Sequence, residues 1–143
     1  MPTDSGTPHA AAAEYAETLR TYFGADTPAF DLLLLGIGGD GHIASLFPHS
    51  SALDVTDRTV IATVHPENAS ARVTLTMPVL LAARVTFVVA TGAAKAPAIA
   101  RALDPDTNIA NCPGAGLRHS AGRVTWWLDR GAAGNWRGHV DRT

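Results

Sequence analysis

The chain has 143 residues, of which 46% are hydrophobic, and these values are typical of a single compact globular domain spanning residues 1–143. Its formal net charge of −2 gives no basic surface for nucleic acid or a membrane, so neither is an expected partner. The single cysteine, Cys112, cannot form an internal disulfide, and no signal-like or membrane-spanning apolar run is visible. We therefore expect a cytoplasmic protein.

Helical and strand patterns alternate along the chain. In order, they predict a helix over 10–23, strands over 30–35, 59–64 and 73–76, a helix over 77–83, a strand over 84–90, a helix over 92–103, a loop over 108–120, a strand over 123–128 and a poorly formed helix over 131–136. Segment 30–35 is apolar apart from Asp31, which is typical of a strand covered on both faces. The alternation predicts an α/β fold, a three-layer αβα sandwich with a mostly parallel, Rossmann-like sheet.

The first strand leads into a glycine-rich turn, GIGGDGH, at positions 36–42. Its glycines match the G-x-G-x-x-G fingerprint of dinucleotide-binding proteins, but that fingerprint requires a long helix after the third glycine. Pro48 disfavours helix at the residue before it and removes a backbone donor, so a helix beginning at His42 would end after about two turns. This missing context argues against a nucleotide site.

Asp40 and His42 lie on this turn and are our candidate catalytic residues. An imidazole can take up a proton and return it near neutral pH, and a neighbouring carboxylate can fix its tautomer or help to place a substrate. A structural alternative remains open, in which Asp40 caps a helix starting near Gly41 and His42 is an ordinary first-turn residue. Asp40, His42 and His49 match no zinc or calcium spacing, so we expect neither a metal nor a cofactor.

Lys95 and Arg72 are candidate anion-binding residues. Lys95, the only lysine of the chain, follows the strand over 84–90 at the opening of a helix, where its ammonium and the free helix amides could meet a phosphate. Arg72 could bind a phosphate through its guanidinium. The structural alternatives are a solvated side chain for Lys95 and a surface salt bridge for Arg72. Carboxyl ends of parallel strands meet at one edge, so the turns at 36–42 and 91–95 could share a ligand.

Four ordered segments resemble the 6-phosphogluconolactonase family of the glucosamine/galactosamine-6-phosphate isomerase superfamily. They are LLLLGIGGDGHIASLFP, the stretch from Asn68 through Arg72 in RVTLTMP, VVATGAAK ending at Lys95, and VTWWLD ending at Asp129. The resemblance implies hydrolysis of 6-phospho-D-glucono-1,5-lactone without a cofactor, with a phosphosugar lactone as the small-molecule partner. It assigns His42 as the base that activates water, Asp40 beside the substrate, and the phosphate and substrate contacts to Arg72, Lys95, Gly38, Gly39 and Gly41.

The resemblance also carries two alternatives. The related glucosamine-6-phosphate deaminases have a similar turn but a glutamate five residues after the histidine, where this chain has Phe47, and this favours the lactonase over an amino-sugar-phosphate isomerase or deaminase. The family's G-G-S-T-P phosphate loop and D-E-R motif are not found here. The chain is therefore expected to be the C-terminal, N-terminally truncated part of the domain, beginning at an internal methionine and leaving a sheet edge bare. The other alternative is accordingly an inactive phosphosugar-binding fragment.

Overall fold

The computed structural model describes residues 6–136. Its helices are α1 (Pro8–Phe23), α2 (Met77–Leu81), α3 (Ala96–Leu103) and α4 (Arg130–Ala133). Its strands are β1 (Leu33–Leu35), β2 (Val60–Val64), β3 (Ala71–Leu75), β4 (Val85–Ala90) and β5 (Arg123–Leu128). Short 3₁₀ turns occupy Ser51–Asp54, Ala93–Lys95 and Pro113–His119. Within residues 6–136, no helix is both long and apolar enough to cross a bilayer.

The main sheet is parallel and has the order β1-β4-β5. Leu35 of β1 lies opposite Val88 of β4, and Val88 lies opposite Trp126 of β5. The predicted strands at 30–35, 84–90 and 123–128 therefore form neighbouring strands that all point the same way. Their carboxyl ends meet at one edge, which confirms the predicted α/β class with a mostly parallel sheet.

Strands β2 and β3 form a separate antiparallel pair, with Val60 opposite Leu75 and Val64 opposite Ala71. Simple alternation of strands and helices would have put both strands in the parallel sheet, and that expectation was wrong for this segment. The 65–70 connection is too short for a parallel crossover, which needs a dozen or more residues. The pair instead packs against α1, beside the main sheet.

The short helix expected from His42 onward does not form. Ile43 and Leu46 make an isolated antiparallel bridge, and Ala44 between them has a φ of 50°, outside the helical region. A backbone turned in this way cannot continue the helical hydrogen-bond ladder. The predicted 108–120 loop likewise contains the 3₁₀ turn Pro113–His119, whose residues as far as Leu117 are buried.

The two faces of the main sheet differ. Leu35 and Val88 share one hydrophobic core with Leu19 of α1, Leu80 of α2 and Ile99 of α3. Side chains of alternate sheet positions are exposed on the other face, which we call the open sheet face: Leu32 (50% exposed), Leu34 (65%), Val89 (49%) and Trp127 (53%). The expectation that segment 30–35 is covered on both faces is therefore not met by the described part of the chain, because these helices pack on one side only.

Candidate active site

The glycine-rich turn is held closed by its own backbone. The amide of Gly38 donates to the carbonyl of His42 at 2.9 Å, and the amide of Gly41 donates back to the carbonyl of Gly38 at 3.0 Å. A Cβ on Gly38 would overlap the imidazole of His42 and the carboxylate of Asp40, so only glycine lets the turn carry both side chains this close to its backbone. Gly41 has a φ of 96°, a left-handed conformation that also favours glycine.

Asp40 and His42 form a hydrogen-bonded pair. Nδ1 of His42 lies 2.7 Å from Oδ1 of Asp40, and the same oxygen accepts the backbone N–H of His42 at 3.1 Å. Because no helix follows, Asp40 is not a helix cap, and this structural alternative is excluded. The carboxylate instead orients the imidazole that lies two residues further on.

The environment keeps Asp40 ionised. Partial burial acts to raise the pKa of Asp40. Hydrogen bonds from the backbone and the ring of His42, together with the charge of a protonated ring, lower this pKa by a larger amount, so it lies below the usual value. An ionised carboxylate can only accept hydrogen bonds, so the neutral imidazole must carry its proton on Nδ1. The lone pair on Nε2 of His42 is then available to take a proton from another molecule.

An apolar ring supports the imidazole from one side. The ring of Phe47 is 3% exposed, and its centroid lies 4.8 Å from that of His42. Phe47 also packs edge-on against the ring of His65, with the two ring centroids 4.9 Å apart. The position where the resemblance leads us to expect a glutamate in a deaminase is therefore filled by a buried aromatic side chain that packs on the candidate base.

Lys95 and His42 line the same cavity, which has a volume of about 350 Å³. The wall is completed by the end of β1 and the start of the turn: Leu34, Leu35, Gly36, Ile37, Gly38 and Ala44. The two turns predicted to share a ligand thus lie together at the carboxyl edge of the sheet. A larger groove of about 750 Å³ lies between α1 and β2, but none of the predicted site residues lines it.

Arg72 lies on β3 and does not line this cavity. Its guanidinium donates to the carbonyl of Ala71 at 3.1 Å. Side chains two positions apart share a strand face, so Arg72 projects on the same side as Thr74, whose hydroxyl accepts the amide of Ser45 at 3.1 Å. Arg72 is therefore on the side of β3 that faces the segment after the turn, and it lies outside the cavity that Lys95 and His42 share.

The backbone donors of the turn are unequal. The amides of Gly38 and Gly41 already donate inside the turn, so neither can bind a substrate oxygen without opening it. Gly39 is exposed, and the two hydrogen bonds that close the turn do not use its amide, which makes this amide the better candidate of the three. Arg101 of α3 donates to the carbonyl of Gly39 at 3.2 Å and so holds the next peptide, between Gly39 and Asp40, in place.

Sequence reasoning gave no role to Arg101 or to Asp129. Both make contacts far along the chain, Arg101 to Gly39 and Asp129 to Gly92, and no local pattern indicates either contact. Asp129 was visible only as the last letter of the VTWWLD segment. Within residues 6–136, no group of three or more His, Cys, Asp or Glu side chains is arranged to hold a metal ion.

The fold and the site define an α/β protein with a ligand cavity beyond the carboxyl ends of parallel strands. The family model described as glucosamine-6-phosphate isomerases/6-phosphogluconolactonase matches residues 1–126, so the chain belongs to this family. Among curated relatives, the 6-phosphogluconolactonase of Bos taurus is 44% identical over 126 residues, covering 86% of this chain and 48% of the relative. That of Streptomyces coelicolor is 45% identical over 130 residues, covering 87% and 49%.

Solved structures agree with this assignment. The 6-phosphogluconolactonase of Leishmania guyanensis superposes with a TM-score of 0.80 at 30% identity, over 90% of this chain and 53% of that one. The Trypanosoma brucei enzyme gives 0.79 at 33% identity, over 88% and 52%. The chain thus spans about half the length of the relatives that it matches.

Proposed function

We propose that this chain carries the general-base part of a 6-phosphogluconolactonase site, which hydrolyses 6-phospho-D-glucono-1,5-lactone to 6-phospho-D-gluconate. The observation that carries the proposal is the 2.7 Å pair between Asp40 and His42, whose imidazole shares a cavity with the sole lysine of the chain. The relatives named 6-phosphogluconolactonase, at 44% and 45% identity, support the choice of reaction. The lone, buried Cys112 suits a reducing cytoplasm, where we expect the reaction to take place.

The chemistry follows from the tautomer of His42. With its Nδ1 proton donated to Asp40, Nε2 takes a proton from a water molecule as the water oxygen bonds to the lactone carbonyl carbon. The carbonyl oxygen becomes an oxyanion, which a backbone amide such as that of Gly39 stabilises. When the intermediate collapses, the bond to the ring oxygen breaks, and that oxygen receives the proton back from the imidazolium.

The charged groups in and beside the cavity fit a phosphorylated substrate. The carboxylate of Asp40 stabilises the imidazolium that forms during the reaction, while the ammonium of Lys95 is available to the phosphate. Arg72 remains a second candidate for a phosphate contact, although it does not line the cavity. Neither step requires a metal ion, because a lactone carbonyl accepts base-activated water directly.

The test is a lactonase assay of the chain completed with the half of the Streptomyces coelicolor relative that it does not match. Formation of 6-phosphogluconate would be followed above the spontaneous hydrolysis of the lactone. His42→Gln should lower kcat by about 10²- to 10⁴-fold, the usual contribution of a general base. The matched control is His9→Gln, because His9 is exposed on α1 and does not line this cavity.

Equal rates for the His42→Gln variant and the completed parent would refute the role of His42. The chain's half-length match favours one further candidate, a phosphosugar-binding unit without turnover. Calorimetric binding of 6-phosphogluconate by a folded sample that leaves the lactone unhydrolysed would support that candidate instead. Release of ammonia from glucosamine 6-phosphate would indicate a deaminase, which the buried Phe47 argues against.

A further inference from the structure

The carboxylate of Asp129 connects two segments that meet beside the cavity. Asp129 follows β5, and its Oδ1 accepts the amide of Ala132 at 2.7 Å, which caps α4. The amide of Gly92 also donates to this carboxylate, lying 3.0 Å from each of its two oxygens. One side chain thus joins the end of β5 to the turn that follows β4.

The Gly92 turn leads directly to Lys95. The carbonyl of Gly92 accepts a hydrogen bond from the amide of Lys95 at 3.0 Å, while the amide of Gly92 donates to Asp129. Gly92 has a φ of 90° and a ψ of 145°, a backbone conformation that residues other than glycine rarely adopt. The turn therefore depends on its hydrogen bonds to hold this conformation. A Cβ on Gly131 would come within 2.9 Å of the amide of Ala93, which shows how closely α4 approaches the turn.

We propose that Asp129 is a positioning residue for substrate phosphate, because it fixes the Gly92–Lys95 turn and thereby aims the ammonium of Lys95 into the cavity shared with His42. This inference rests on the proposed lactonase function and adds a residue to the same site. Asp129 itself does not line the cavity. Its effect passes through Gly92 to Lys95, which lines the cavity together with His42.

The ionisation of Asp129 agrees with this role. Hydrogen bonds from the amides of Ala132, then Gly92 and Gly131, lower the pKa of Asp129 below its ordinary value and outweigh a desolvation effect that raises it. The group is therefore a carboxylate at neutral pH. Hydrogen bonds to an ionised acceptor are stronger than those between neutral groups, so the turn is held by charge-assisted bonds.

Two substitutions separate the cap from the contact to the turn. In Asp129→Ser the hydroxyl can still cap the amide of Ala132, but its single oxygen on a shorter side chain cannot reach Gly92 as well. Asp129→Asn keeps one acceptor oxygen at the original length, but it loses the charge and replaces the second oxygen with an NH2 group. The matched control is Asp31→Ser, because Asp31 is exposed at the opposite edge of the sheet, paired with Arg84.

In the completed enzyme, Asp129→Ser should raise KM for the phosphorylated lactone about tenfold and leave kcat within about twofold, with Asn intermediate. Hydrolysis of unphosphorylated glucono-1,5-lactone should stay within about twofold of the parent, since it does not use Lys95. Lys95→Ala should weaken phosphate binding less in the Asp129→Ser background than in the parent, because the two residues act as one unit.

An unchanged KM, or an equal loss with both lactones, would overturn the inference, since equal loss is the signature of a merely structural role. If Asp129→Ser does not fold, the same comparison is made with Asp129→Asn, which retains the cap. A parent that hydrolyses neither lactone would refute the proposed function alone. The positioning role is then decided by calorimetry with inorganic phosphate: about tenfold weaker binding in the variant supports it, whereas equal binding, or none by the parent, overturns it.

Discussion

Replacing Asp40 by asparagine tests whether the carboxylate acts through the imidazole. The asparagine is close to the same size, so the turn should still close through the Gly38 and Gly41 amides. Its side-chain oxygen can still accept the backbone N–H of His42, but it is neutral. The change therefore removes the charge beside the ring while it preserves the local geometry.

The magnitude follows from the two hydrogen bonds of 3.1 Å and 2.7 Å between Asp40 and His42. Hydrogen bonds to charged groups contribute about 1.5–3 kcal/mol and neutral ones about 0.5–1.5 kcal/mol. Because the side chains are 44% and 29% exposed, solvent screening reduces the difference. We expect a loss of about 1–2 kcal/mol in transition-state stabilisation, or roughly a 5- to 30-fold lower kcat/KM.

The assay compares four completed enzymes: the parent, Asp40→Asn, His42→Gln and the double variant. Circular dichroism and the unfolding midpoint show whether each has kept its fold, and Asp31→Asn controls for the loss of one exposed aspartate charge. If Asp40 acts through the imidazole, the double variant should be no slower than His42→Gln alone. A further 5- to 30-fold loss in the double variant would refute the reasoning, because Asp40 would then act independently of the base.

Two further predictions concern the turn and the effect of acid. Gly38→Ala should lower kcat/KM by at least about tenfold while circular dichroism stays native, because the new Cβ displaces the ring of His42 from Asp40; an unchanged rate would show that the ring has another productive position. The lowered pKa of Asp129 stabilises the fold above the ordinary value of 3.8, and this contribution is lost as the pH falls through the lowered pKa. The stability gap between the parent and Asp129→Asn, measured by urea denaturation, should therefore be full at about pH 6 and shrink below about pH 4; a constant gap would contradict this.

Local patterns predicted the central elements well. Predicted strand 84–90 and the observed β4 (Val85–Ala90) differ by one residue, and β5 (Arg123–Leu128) was predicted with its observed bounds. Their runs of β-branched and aromatic residues have few other stable environments. The first helix was predicted over 10–23 and is observed over Pro8–Phe23. Gly24 ends it in the left-handed conformation that glycine favours at this position.

Features that depend on distant contacts were not predicted. The pairing of β2 with β3 is set by the short connection between them, and hydrophobicity alone did not show which partner each strand would take. Asp40 looked equally like a helix cap until the φ of Ala44 showed that no helix follows. The contact between Asp129 and Gly92 spans 37 residues, so it exists only once β4 and β5 lie side by side.

The open sheet face has a practical consequence. Leu34 and Trp127 expose apolar side chains to water on a parallel sheet, and parallel sheets are normally covered on both faces. Residues 1–143 alone should therefore self-associate through the open sheet face, and the associated fraction should grow with concentration. Light scattering by this sample should accordingly rise with concentration and fall again on dilution.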